Sequence, residues 1–207
     1  MNVLFIDELR GREMKILNLI RYNLTNLLNF SGRDSRADFW PYVAFVVGIM
    51  FVGMMAIMVP MMADLFGKMR QFAAAHPDQA TVESGPGTYS ISIQGNHPEL
   101  MPDMTAITGG FSIVCFAVIC LLAAAVVRRL HDRGKSGAWG LMPLPFLATG
   151  FAMMPKIFAE PVSDMTLFNA LFFNNLVYLA SLGLLIAFLA GESEKTENRY
   201  GPPPTDS

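Results

Sequence analysis

The stretch FAVICLLAAAVVRRLHDRGKSGAWGLMPLPFLATGF, residues 116–151, sets Arg128, Arg129, His131, Asp132, Arg133 and Lys135 between two apolar runs. Upstream, Thr105–Val127 holds no Asp, Glu, Lys or Arg; downstream, Ser136–Pro155 holds none either. Each run is long enough for the roughly 20-residue helix that crosses a bilayer core. A single charge at the centre of such a helix costs about 2.5–3.5 kcal/mol, so charge-free windows of this length mark membrane spans. The stretch therefore reads as helix, polar loop, helix.

Working outward, two more charge-free windows appear, Phe39–Ala63 and Met165–Gly191. Only 15% of the 207 residues are charged and 53% are hydrophobic, against about 25% charged in a soluble domain. The expected fold is all-α and integral to the membrane, with four transmembrane helices at about 39–62, 107–127, 137–155 and 168–190. A polar segment, 1–38, precedes this membrane domain of 39–191, a 63–106 loop interrupts it, and a 192–207 tail follows. The polar start and the long first apolar run do not fit a cleaved signal peptide. Cys115 and Cys120 lie within the second span and read as small apolar fillers rather than a disulfide or metal pair.

Lys and Arg set the threading. Six precede the first span (Arg10, Arg12, Lys15, Arg21, Arg33, Arg36), four lie in the loop between spans 2 and 3, and Lys195 and Arg199 lie in the tail. The other side holds Lys68, Arg70 and Lys156. The first segment and the tail are therefore expected in the cytoplasm, with the protein multi-pass in the membrane.

Within Met14–Asn29, Leu17, Ile20, Leu24, Leu27 and Leu28 recur at helical steps. This predicts an N-terminal amphipathic helix, lying in the membrane interface or packing on the protein's own loops. In the outside loop, Thr81–Glu83 and the alternating Thr88–Ile93 flank a Gly-Pro-Gly turn, a pattern for a short β-hairpin. An isolated hairpin is marginal, so it should lean on the membrane or on a partner. His76 and His97 share that loop with Asp78, Glu83 and Glu99, but the spacing matches no metal-ligand motif, and no metal site is expected. Gly48, Gly53 and Gly183 could allow close helix approach, and the amides of Asn169, Asn174 and Asn175 should face other helices or water rather than lipid. Pro143 and Pro145 predict a distorted start to the third span.

Two charged motifs each precede a span. In the first, Gly32–Tyr42, Ser35 and Asp38 have capping-box spacing, so a helix should start near Ala37. Arg33 and Arg36 sit beside it, and Trp40 belongs at headgroup level. In the second, Arg128 can pair with Asp132 four residues on, Arg129 can compete for it from three, Gly134 can end the helix, and Trp139 can anchor the next span. Gly134–Ser136 spells the end of a phosphate-binding loop, but Arg129 occupies the required glycine position. His131 and Asp132 could act as a general base and its orienter, yet adjacent helical residues point apart and no nucleophile is identifiable. The basic groups could instead hold an anionic headgroup.

Three blocks, GRDSRADFW, RRLHDRGKSGAW and ENRYGPPP, together resemble a bacterial inner-membrane family called domain of unknown function 805. By position the resemblance highlights Gly32, Arg33, Ser35, Arg36 and Trp40; then Arg128, Arg129, Leu130, His131, Asp132, Ser136, Gly137 and Trp139; then Asn198, Arg199, Tyr200, Gly201 and Pro203. Ala138 stands where the family often shows a second Trp, and the outside loop is longer than usual. The resemblance implies a location and a helical architecture but no reaction.

The expected site is thus a cluster for a headgroup or partner at the cytoplasmic face: Gly32, Arg33, Ser35, Arg36, Trp40, Arg128, Arg129, His131, Asp132, Arg133, Lys135, Ser136, Trp139, Arg199 and Tyr200. The tail is expected to fold back on it, with Asp132 accepting from Arg199 or from a loop arginine. No catalytic residue and no cofactor is expected. Expected partners are the bilayer, anionic phospholipid headgroups and another membrane protein or further copies of the chain, with no nucleic acid. The leading reading is a structural, regulatory or lipid-interacting component. The alternative is a small transporter or channel subunit, which lacks the intramembrane charge that usually marks an ion path.

Overall fold

A computed structural model describes residues 3–95, 97–159 and 165–204. Among these, five α-helices run in chain order: α1 (Val3–Thr25), α2 (Arg36–Ala75), α3 (Met104–Asp132), α4 (Leu144–Ala159) and α5 (Met165–Ala190). Strands β1 (Ala80–Gly85) and β2 (Thr88–Ile93) stand between α2 and α3. Four helical segments are long and apolar enough to cross a membrane. The start of α2, the end of α3, the start of α4 and the end of α5 gather at one end of the molecule, called here the polar end. The hairpin marks the other.

Helix α1 begins well before the periodic stretch, at Val3, and ends at Thr25 rather than near Asn29. Ile20 packs against the core, whereas Leu17, Leu24 and Leu28 stay exposed. Helix α2 starts as its capping residues dictate: the Ser35 Oγ accepts from the Asp38 N–H and donates to its carboxylate at 2.8 Å. The helix does not stop near residue 62: it runs through Pro60 and continues to Ala75. Its 40 residues span about 60 Å at 1.5 Å each, roughly twice a bilayer core. The first part of the expected outside loop is therefore helix.

The hairpin forms as the alternation requires. Pairing from Ala80↔Ile93 to Gly85↔Thr88 leaves Pro86-Gly87 as a two-residue turn, and Gly87 takes the positive φ, +78°, that this position demands. Both strands rest beside α2. The Phe72 ring meets His76 and His97, each with centroids 4.4 Å away. His97 Nδ1 lies 3.0 Å from Glu99. Among the described residues no three His, Cys, Asp or Glu side chains converge as a metal site would require.

The third span starts irregularly. A 3₁₀ turn over Gly137–Leu141, capped by Ser136, precedes α4. Helices α2 and α3 approach closely where Gly53 faces Val114 and Gly110 faces Ile57. Gly48 and Gly183 look onto open space instead. The Asn174 amide donates to the Phe146 carbonyl at 2.9 Å, joining α5 to α4, but Asn169 and Asn175 are exposed. The buried apolar cluster sits at the polar end: Phe39, Tyr42 and Val46 of α2, Ala125 and Leu130 of α3, Leu185 and Leu189 of α5. The Tyr42 hydroxyl fastens this cluster by donating to the Leu121 carbonyl at 2.9 Å.

Candidate functional site

At the polar end the last turn of α3 sends consecutive side chains in different directions, and each meets a different part of the chain. Arg128 reaches α1 and the linker after it. Its Nε donates to Asp34 at 2.9 Å, one terminal nitrogen to the Asn29 carbonyl at 2.6 Å, and the other to the Asn23 amide oxygen at 2.7 Å. The expected Arg128–Asp132 pair does not form. Arg129, three residues from Asp132 rather than four, takes one of its carboxylate oxygens. Arg129 also donates to the Leu189 and Gly191 carbonyls and to the Ser193 hydroxyl, tying α3 to the end of α5.

The other oxygen of Asp132 belongs to Arg33, at 3.1 Å. The same guanidinium donates to the carbonyls of Thr196, Gly201 and Glu194. Asp132 thus accepts from Arg33 and Arg129; Arg199 instead lies over the Tyr200 ring, 4.7 Å from its centroid. The side chains of Arg33, Arg128, Arg129 and Asp132 are 1%, 1%, 0% and 0% exposed. Three buried cations face two buried carboxylates, and backbone carbonyls, the Asn23 amide oxygen and the Ser193 hydroxyl accept further N–H groups. Burial pushes the Asp34 carboxyl above its ordinary pKa, and the adjacent Arg128 pulls it part of the way back.

Residues 198–201 show why the tail returns here. Asn198 and Gly201 exchange both backbone hydrogen bonds, the Asn198 side chain caps the Tyr200 N–H at 2.9 Å, and Gly201 adopts φ +120°. This tight turn lays the Tyr200 ring flat on His131, centroids 3.7 Å apart and planes 7° from parallel. The Asn198 amide donates to the His131 carbonyl at 3.0 Å, and the Glu194 N–H to the Asp132 carbonyl at 3.1 Å. Among the described residues, none is a hydrogen-bond partner of the buried His131 Nδ1. The imidazole is a stacking platform for the tail, and the adjacent carboxylate is held by arginines, so the two do not form a base and its orienter.

The remaining sequence-predicted residues surround this knot. Gly32 supplies a positive φ, +92°, in the linker, and Gly134 another, +63°, beside Glu194. Lys135 lies over the Phe188 ring at 4.2 Å, and Trp139 meets the same ring edge-on. The Arg133 guanidinium lies against Gly191, where a side chain would collide with it. Trp40 packs edge-on to Phe39. Arg36 is exposed at the start of α2, with Trp40 one turn further on. Sequence reasoning missed Asn23 and Asp34. Asn23 lies off the leucine stripe of α1, and Asp34 is the acid of the linker, the natural counter-charge for a loop arginine.

The fold and this knot define a multi-pass helical membrane protein whose buried charged residues, among those described, lie at one end. The chain belongs to the family described as protein of unknown function (DUF805), whose model matches residues 27–202, from the linker through the tail turn. It is similar to the uncharacterized protein YiiR of Escherichia coli K12, 27% identical over 181 residues that cover 84% of this chain and 85% of the relative. YiiR of Escherichia coli O157:H7 matches to the same extent. No solved structure matches.

Proposed function

We propose that this protein is a non-catalytic component of the bacterial inner membrane, with α1 and the tail on the cytoplasmic side, where the polar end serves as a structural or regulatory platform on an anionic leaflet. The observation that carries this reading is the knot itself. Arg33, Arg128 and Arg129 join α1, the linker, α3, the end of α5 and the tail into one rigid body through buried, multiply bonded guanidinium groups. The surplus of Lys and Arg at this end supports the cytoplasmic orientation. The exposed leucines of α1 support contact with the interface. A small transporter or channel subunit is the weaker reading, since the Asn174 amide joins two helices to each other rather than facing a path.

The test is thermal unfolding of the full-length protein in nanodiscs of phosphatidylcholine and of phosphatidylglycerol. A ligand that binds the folded state raises the midpoint by mass action, so the midpoint should be higher in phosphatidylglycerol. Equal midpoints would contradict the anionic-leaflet part of the proposal.

A further inference from the structure

Between the start of α2 and the chain just after α5 lies an open cleft of about 690 Å³, lined by Ser35, Arg36, Ala37, Trp40, Pro41, Glu192, Ser193 and Lys195. The geometry points to this cleft as a phosphate site for an anionic phospholipid headgroup. The inference deepens the proposal above and rests on its anionic-leaflet reading.

The argument begins with which basic groups are available. Arg33, Arg128 and Arg129 are buried, with their N–H groups engaged inside the protein. Lys135 and Arg199 each lie over an aromatic ring, and Arg133 is packed against Gly191. Arg36 and Lys195 are both exposed, and among the described residues no carboxylate forms an ion pair with either. They come from opposite walls of one cleft, one from α2 and one from the tail, and the knot holds those walls in place. Arg36 offers a fork that suits phosphate, Lys195 a point charge, and Ser193 a hydroxyl.

The other lining residues suit a lipid rather than a free ion. Trp40, Pro41 and Ala37 form an apolar wall at the depth where the charge-free run of α2 begins, the level at which tryptophan prefers to sit. Pro41 has no N–H to give the Ala37 carbonyl. The positive end of the α2 dipole opens on the same side. Glu192 on the tail wall works against an anion, so the cleft favours a monoanionic phosphodiester over a more highly charged group.

The experiment is native mass spectrometry of the full-length protein released from mixed phosphatidylcholine and phosphatidylglycerol nanodiscs, with thermal unfolding in parallel. Each basic residue near an anionic lipid is worth about fivefold in binding. Arg36→Ala with Lys195→Ala should therefore lower retained phosphatidylglycerol roughly 25-fold. Glu192→Gln should raise it by about twofold or more, which keeps the test informative if the double variant folds poorly. Inorganic phosphate, added to protein in pure phosphatidylcholine, separates the two sources of the shared chemistry. Stabilisation by phosphate alone would make the occupant a free anion, and no effect is expected. If phosphatidylglycerol stabilises wild type and the double variant equally, the cleft is overturned while the anionic-leaflet reading stands. If it stabilises neither, both fall.

Discussion

Arg33 and Asp132 lie 99 positions apart in the chain, yet a guanidinium N–H of one meets the carboxylate of the other at 3.1 Å in the protein interior. Arg129 holds the second carboxylate oxygen, and the remaining Arg33 donors hold the tail through its carbonyls. Three segments that the bilayer would leave as separate loops thereby become one body.

Asp132→Asn keeps the shape of the side chain but removes the charge that two buried arginines share. Breaking a buried pair from one side typically costs about 3–5 kcal/mol, because an uncompensated charge is left behind. Denaturant unfolding in detergent should show a loss of this size. A loss below about 1 kcal/mol, the range of an exposed pair, would mean that solvent reaches the knot.

Arg128→Lys should release α1. Arg128 uses three nitrogens at once, on Asp34, Asn29 and Asn23, and a lysine ammonium cannot reproduce that fork. Hydrogen exchange should accelerate in α1 and the linker while the hairpin end stays as protected as in wild type. Unchanged exchange over residues 19–34 would contradict the role given to Arg128.

Tyr200 holds the tail by its ring. Tyr200→Phe should keep the stack on His131, whereas Tyr200→Ala should lose about 0.5–1.5 kcal/mol beyond the lost contact area, read as faster proteolysis of the tail. Equal behaviour of the two variants would make the stack incidental.

The hairpin end should loosen as pH rises. Hydrogen bonds that the His97 ring donates to the Glu99 carboxylate and to the Gln94 carbonyl raise its pKa above the ordinary value. A raised folded pKa means that the stabilisation is complete below the unfolded value, near 6.5, and is lost as pH climbs through the folded one. His76 and Phe72, packed alongside, share this environment. Protection factors in residues 80–93 should fall above about pH 6.5, and Glu99→Gln should flatten that dependence. A pH-independent profile in wild type would remove His97 as the brace.

The membrane architecture was legible because a long helix with no charged residue on any face belongs in a bilayer rather than in water. The Ser35 cap, the Pro-Gly turn and the irregular start of the third span were equally local, since each depends on residues within one turn of chain. The partners in the knot were not legible. Spacing along a helix allows Arg128 or Arg129 to reach Asp132, but which one does so depends on Asp34 and Asn23 approaching from another segment. The far end of α2 was misjudged for a related reason. Asp64, Lys68 and Arg70 end a membrane span without ending a helix, and Lys68 pairs with Asp64 along the same face.

The measurement that bears most directly on the knot is a pair of double-mutant cycles on unfolding free energy, Asp132→Ala with Arg33→Ala and Asp132→Ala with Arg199→Ala. Residues in direct contact couple by about 0.5–3 kcal/mol, and residues without shared partners add within about 0.5 kcal/mol. Strong coupling of Asp132 to Arg33, and additivity with Arg199, is the expected result. Additivity with Arg33, or coupling to Arg199 in its place, would contradict the arrangement that joins the linker, α3 and the tail.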